Sequence, residues 1–377
     1  MEKPIRVLCV FSSLDRGGAE TMCMDLYRHI DRSRVQFDFV KHSNAVGAYE
    51  EEIHALGGRI FSAPRYSIIN RPQYLRWWRT FLRAHPEYQI VHGHFFTISA
   101  LYFREAKRQG RITVGHSHCT QETAGTSNPI KHLVKNHLIS QVERYADHCF
   151  ACSADAGKWV FPHRDVTVLK NAIQVESFRF DAATAQAVRK ELGLGDALVV
   201  GSVGRIVPQK NPLAIIDIFS RVHAERPESK LLWVGDGPLR EKASMKVKEL
   251  KLDNSVLFLG VRNDVNRLMQ AMDAFILPSL YEGLGIVLIE AQTAGVESFC
   301  SDVVPREAAV TPLLHMLPLD SFDAWSDAIA RLSPNGPHGN TAEQIIDAGY
   351  DIHTTAAWLQ AFYLRLAQEK TKGQNKL

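Results

Sequence analysis

Glu282 and Glu290 stand eight positions apart around a glycine-rich turn, in the run Ser279-Leu280-Tyr281-Glu282-Gly283-Leu284-Gly285-Ile286-Val287-Leu288-Ile289-Glu290. A strand-like apolar run, Ala274 to Leu277, leads in, and a helical apolar pattern, Ile286 to Ala294, leads out. The pattern predicts Glu282 in a loop at the carboxyl end of a strand, and Glu290 about a turn and a half into the next helix. The amides of Gly283, Leu284 and Gly285 would point out of that helix start, where N–H groups and the helix dipole can hold a phosphate. An acid for sugar hydroxyls, an anion nest and a second acid behind it suggest a nucleotide-sugar site. The same residues also suit an ordinary solvated loop glutamate and another on a helix face.

Ligands of open α/β sheets bind off the carboxyl ends of the strands, so the other strand exits are candidates too. Gly201-Ser202-Val203-Gly204-Arg205-Ile206-Val207-Pro208-Gln209-Lys210-Asn211-Pro212 places Arg205 and Lys210 on either side of a tight loop, where two cations could neutralise a diphosphate leaving group without a metal. Ser12 to Glu20 carries paired glycines, Gly17 and Gly18, before a helical run but lacks the G-x-G-x-x-G dinucleotide fingerprint. Gly235-Asp236-Gly237-Pro238 reads most simply as a turn before a helix with proline at its start, and Phe258-Leu259-Gly260-Val261 is similar. Histidines gather at two further strand ends, His92-Gly93-His94 and His116-Ser117-His118. Zinc is conceivable from the residue types. The H-x-H spacing is expected to alternate faces and splay each pair, so a polar cleft lining is preferred to a metal site.

The elements that must position these residues alternate along the chain. Apolar runs at Ile5–Phe11, Phe37–Val40, Ile90–His92, Thr113–Gly115, His148–Ala151 and Val166–Leu169 are followed by Leu198–Val203, Lys230–Val234, Val256–Leu259, Ala274–Leu277 and Ser298–Cys300, with helix-length segments between most of them. Continuous apolar strands alternating with helices mean parallel sheets covered on both faces. Eleven strands are too many for one doubly wound sheet, so two Rossmann-like domains are expected. The break falls near Asn171 to Ala183: residues 1–175 form the first domain, 176–350 the second, and 351–377 a last helix, Thr354 to Lys370, with a disordered polar tail from Thr371.

Composition agrees with a globular protein of ordinary domain size: 377 residues, 45% apolar and 23% charged. No apolar run approaches the ~20 residues of a membrane span, and the first residues lack the features of a signal peptide, so a cytosolic protein is expected. The six cysteines read as reduced packing residues; Cys149-x-x-Cys152 has no second pair, which argues against zinc or redox chemistry. Residues 1–180 carry 24 Lys+Arg against 17 Asp+Glu, and the remainder 20 against 24. The basic first half includes Arg71 to His85, where Tyr74, Trp77, Trp78 and Phe81 are interleaved with Arg76, Arg79 and Arg83. That segment suits an anionic membrane surface as well as it suits a helix with its aromatics packed on a sheet.

In this order the motifs resemble the family 4 retaining glycosyltransferases of GT-B fold, in which two Rossmann-like domains face a central cleft. The resemblance runs from Gly17-Gly18-Ala19-Glu20 through His116-Ser117-His118, Lys170-Asn171-Ala172-Ile173, Gly204-Arg205 with Gln209-Lys210-Asn211, and Gly235-Asp236-Gly237-Pro238 to Glu282 and Glu290. Phe258 to Val265 and Pro305-Arg306-Glu307-Ala308 most resemble the bacterial exopolysaccharide, EpsF-like branch. The resemblance implies that Glu290 holds the ribose hydroxyls and that Glu282, with the amides of Gly283, Leu284 and Gly285, contacts the transferred sugar. Arg205 and Lys210 would bind the diphosphate, Gly18 would let the first-domain loop close on the donor, His116 would reach the sugar near the reacting centre, and Val261 would meet the base through its backbone. The hinge, usually Asn-Gly, is Asn171-Ala172 here, which resists positive φ.

The resemblance implies retaining transfer from a nucleoside-diphosphate sugar, with UDP as the family-level choice, to a glycan or lipid-linked oligosaccharide. The acceptor hydroxyl would attack from the front face and give its proton to the departing phosphate. No cofactor, no metal and no nucleic acid are expected; peripheral contact with the inner face of the plasma membrane is. A nucleotide-sugar epimerase of the same architecture and a catalytically inactive nucleotide- or glycan-binding subunit are the alternatives.

Overall fold

The computed structural model describes residues 3–94, 97–118, 129–336 and 338–374. They form two compact units, one built from the chain up to Ala172 together with the segment from Ile352, the other from Ile173–Asp351. Each is a parallel sheet with helices on both faces.

The first unit has seven strands: β1 (Ile5–Phe11), β2 (Val35–Lys41), β3 (Ile60–Ser62), β4 (Tyr88–Gly93), β5 (Ile112–Ser117), β6 (His148–Ala151) and β7 (Thr167–Val168), in the order β3-β2-β1-β4-β5-β6-β7. Alternation along β1 splits the core. Val7, Cys9 and Phe11 face the helices Gly18–His29 and Ile352–Gln374, while Leu8 and Val10 face Tyr74, Trp78 and the helix Ser99–Arg108. The closing helix runs to Gln374, so Thr371 to Gln374 are helical and not a disordered tail; residues 375–377 lie outside the described residues.

The second unit has six: β8 (Val199–Val203), β9 (Lys230–Val234), β10 (Val256–Gly260), β11 (Ala274–Leu277), β12 (Glu297–Ser301) and β13 (Leu314–Leu317), in the order β10-β9-β8-β11-β12-β13. Both sheets are doubly wound. Strand order reverses between β1 and β4 in the first and between β8 and β11 in the second, and a ligand site is expected outside the carboxyl ends at each reversal. At the domain boundary Ala172 is buried and is not among the residues of positive φ, which is why alanine can stand there in place of glycine.

Candidate active site

In the second unit the exits of β8 and β11 flank the reversal point, and they are tied together. The amide of Leu280 donates to the carbonyl of Gln209 at 2.8 Å, and Gln209 Nε2 donates to the carbonyl of Tyr281 at 3.0 Å. Glycine is what lets the neighbouring exits close up. Gly204 (φ +149°) donates to the Val234 carbonyl at 2.9 Å, and a side chain on Gly235 (φ +130°) would place its Cβ 2.0 Å from the Gly204 carbonyl oxygen. The β9 exit, a plain turn on sequence grounds, is thus a close backbone approach. The following helix begins only at Arg240, so Pro238 is not at its first position.

This scaffold brings Lys210 against Glu282, residues 72 positions apart in sequence. Lys210 Nζ donates to Glu282 Oε1 at 2.6 Å, and Ser279 Oγ donates to the same oxygen at 2.6 Å. The lysine side chain is 18% exposed and the glutamate 6%. Glu282 Oε2 takes no hydrogen bond from the described residues, and an ammonium group has three N–H donors, so two remain on Lys210. The sequence assigns Lys210 to the diphosphate and Glu282 to the sugar separately and gives no sign of this contact. Arg205 is exposed and pairs with no carboxylate among the described residues.

Beyond Glu282, Gly285 (φ +76°) caps the helix Ile286–Thr293, and Glu290 is its fifth residue, half-buried. The amides of Gly283, Leu284 and Gly285 donate to no group among the described residues, and a Cβ on Gly283 would meet open space. Val261, 72% exposed, follows Gly260 (φ +66°), whose carbonyl accepts from the Gly235 amide at 2.7 Å. Arg262 and Asp264 clasp each other through two bonds of 2.7 and 2.8 Å and brace that loop.

In the first unit, Gly18 begins the helix Gly18–His29 and a Cβ there would meet nothing within 4 Å. The histidines depart from expectation. Residues i and i+2 of a strand share a face, so the pairs do not splay. The His92 and His94 rings stack at 4.2 Å, and those of His116 and His118 at 4.1 Å. Nor do His92 and His116 line a polar cleft. His92 and His116 are 2% and 4% exposed, and burial pushes His92 and His118 down to about 3 and holds His94 and His116 well below the ordinary imidazole value. His116 has both ring nitrogens buried and without a hydrogen-bond partner among the described residues.

The register of the helix Arg71–Ala84 packs its aromatics on the sheet and leaves most of its arginines outward. Tyr74, Trp78, Phe81 and Leu82 are buried against the sheet, and Arg79 Nε donates to the buried Glu105 at 3.1 Å. Arg71, Arg76 and Arg83 remain exposed, beside Ile68 and Ile69 at 76% and 95% exposure. No helix among the described residues is long and apolar enough to cross a membrane.

Two doubly wound sheets, with a cation–carboxylate pair at the reversal point of the second, define a class. Residues 17–172 match the family described as glycosyl transferase 4-like domain, and residues 185–351 match glycosyl transferases group 1. The chain belongs to this family, the group 1 or family 4 glycosyltransferases of GT-B fold. It is 33% identical over 371 residues to the putative glycosyltransferase EpsF of Bacillus subtilis, covering 95% of this chain and 96% of that one. It is 29% identical over 174 residues to the UDP-Gal:alpha-D-GlcNAc-diphosphoundecaprenol alpha-1,3-galactosyltransferase of Escherichia coli, 45% of each chain. In fold it resembles Anabaena HepE, solved in complex with UDP, with a TM-score of 0.73 at 19% identity over 96% of this chain and all of that one.

Proposed function

We propose that the protein transfers a sugar from a UDP-sugar to a glycan or lipid-linked acceptor, with retention of anomeric configuration and without a metal at the diphosphate, in the synthesis of an extracellular polysaccharide. The observation that carries this reading is the shared oxygen of Glu282. Lys210 and Ser279 both occupy Oε1, which leaves Oε2 to accept sugar hydroxyls and leaves two N–H groups of Lys210 for phosphate oxygens. One ion pair can therefore hold the sugar and the leaving group on either side of the bond that breaks. Arg205, exposed and paired with no carboxylate among the described residues, supplies a second cation, and the amides of Gly283, Leu284 and Gly285 supply neutral donors.

Negative charge on the diphosphate grows as the glycosidic bond lengthens, so donors fixed in advance stabilise the transition state more than the bound donor. The acceptor hydroxyl attacks the anomeric carbon from the face the diphosphate leaves, its proton passing to the departing phosphate oxygen. Glu290 accepts the ribose hydroxyls, the Val261 backbone meets the base, and Gly18 leaves room for the donor beside the first unit's helix start. UDP as carrier and a lipid-linked diphosphate acceptor are supported by HepE, solved with UDP, and by the name of the E. coli relative. The exopolysaccharide branch that Phe258 to Val265 and Pro305 to Ala308 resemble supports the polysaccharide role, and the basic first half supports work beside an anionic membrane.

A thermal-shift series of nucleotide sugars, followed by transfer assays with the best binder, tests the reading. The expected result is stabilisation by a UDP-sugar and acceptor-dependent release of UDP. Interconversion of the nucleotide sugar in the absence of acceptor would identify an epimerase instead.

A further inference from the structure

Five metal-ligating side chains converge in the first unit, on the sheet face covered by the helices Gly18–His29 and Ile352–Gln374. Cys9 and His92 are directly opposed in the β1–β4 ladder, and His94 follows His92 on the same face. Gly93 opposes Gly115 in the next ladder, so His116 comes alongside His94. Cys23 projects from the buried side of the covering helix. Ligand atoms of Cys9, Cys23 and His94 lie within 4.8 Å of one another, as do those of His92, His94 and His116. Beside them is a cavity of about 10 Å³, lined by these five together with Tyr363 and apolar side chains of the two covering helices and the sheet, among them Met22, Leu26 and Phe37. That is the room of about one small sphere.

The hydrogen bonding points to an ion. His92 Nε2, His94 Nε2 and both nitrogens of His116 are buried without a partner. Folded proteins rarely leave buried polar atoms unpaired, and an ion held between His92 Nε2 and His94 Nε2 would satisfy both. The opposite nitrogens of two rings are occupied: His92 Nδ1 lies 2.5 Å from the Tyr363 hydroxyl, and His94 Nδ1 2.8 Å from His118 Nε2. Ligating imidazoles are held in this way, with an outer partner fixing the tautomer and turning the bare lone pair of Nε2 inward.

We propose that Cys9, Cys23 and His94, whose ligand atoms meet, form a closed structural site for one Zn²⁺ ion, with His92 drawn in from the overlapping His92–His94–His116 group as the fourth ligand and the ring of His116 packed behind it. Two thiols and two neutral imidazoles bind Zn²⁺ with release of two protons, giving a tetrahedral complex with no net charge. A neutral complex suits an apolar interior. The same ligands around Cu⁺ would carry an excess negative charge, and Mg²⁺, Ca²⁺ and Mn²⁺ prefer oxygen ligands. The site ties the carboxyl ends of β1 and β4 to the helix that Gly18 begins, and is independent of the transfer reaction.

The full chain, purified without metal-affinity steps and dialysed against metal-free buffer, is analysed for metals by mass spectrometry. About one zinc per chain is expected. Cys9→Ser combined with Cys23→Ser should lower the content at least about tenfold, whereas Cys152→Ser, outside the cluster, should retain it. Should the double variant fail to fold, Co²⁺ exchanged into the unmodified protein decides: tetrahedral d–d absorption with a thiolate charge-transfer band supports the site. A metal-free protein with no such bands, copper in place of zinc, or a Cys9–Cys23 disulfide found by peptide mapping overturns the proposal.

Discussion

Replacing Lys210 with alanine separates what the Lys210–Glu282 pair does for the fold from what it does for transfer. The ammonium lies 2.6 Å from Glu282 Oε1, with 18% of the lysine side chain and 6% of the glutamate side chain exposed. Without it, a nearly buried carboxylate is held by the Ser279 hydroxyl alone. Stripping one partner from a fully buried pair costs about 3–5 kcal/mol. Lys210 is partly reached by water, so about 1–3 kcal/mol of stability is the expected loss. Adding Glu282→Gln removes the uncompensated charge, and the double variant should regain most of that stability. Turnover should not recover with it. Loss of one fixed donor to developing charge predicts a fall in kcat of about 10²–10³-fold, while affinity for the nucleoside diphosphate falls by less than about tenfold. The double variant should stay as slow as the single one. Chemical denaturation, calorimetric titration and steady-state kinetics on the four proteins of this cycle measure all three quantities. Equal losses of kcat and affinity would mean that Lys210 binds ground state and transition state alike. A Lys210→Ala protein as stable as the parent would mean that the pair does not hold the β8 and β11 exits together.

Glu290→Ala should weaken nucleoside-diphosphate binding by about 1.5–3 kcal/mol, the worth of hydrogen bonds to a charged acceptor; unchanged affinity by calorimetry in a folded variant removes the ribose assignment. Transfer should proceed at full rate in excess chelator during the assay, because cations and amides take the place of a metal at the diphosphate; loss restored by Mg²⁺ or Mn²⁺ would contradict this, and neither ion suits the buried thiolate–imidazole site. Replacing Arg71, Arg76 and Arg83 by glutamine should reduce co-sedimentation with anionic vesicles, each exposed arginine contributing about 1 kcal/mol, while transfer to a soluble acceptor is unaffected; sedimentation like the parent would leave this helix a purely structural role.

Much of the fold is legible in the sequence because fully buried parallel strands read as continuous apolar runs. The two strands that escape, Ile60–Ser62 and Leu314–Leu317, are edge strands, short and partly exposed, with no such run to betray them. Glu282, Glu290, Arg205 and Lys210 stand out because glycine-rich strand exits mark where ligands approach backbone. That Lys210 and Glu282 touch does not, since the contact depends on two loops meeting across adjacent strands. Aromatic and basic residues interleave in Arg71 to His85, and only the register of the helix shows that Tyr74 and Trp78 face the sheet. The histidines mislead for a different reason: period-two alternation puts His92 with His94 and His116 with His118, so the spacing expected to separate them is what gathers them.

Transfer with retention is tested most directly by the configuration of the first-formed glycoside. The UDP-sugar that stabilises the protein most is mixed with a polyprenyl-diphosphate-linked saccharide, and the anomeric coupling of the initial product is read by proton NMR before secondary reactions intervene. The expected product carries a new glycosidic bond with the same anomeric configuration as the donor, formed together with UDP. A product of inverted configuration would contradict attack from the leaving-group face and the arrangement of Lys210, Arg205 and Glu282 on which it rests.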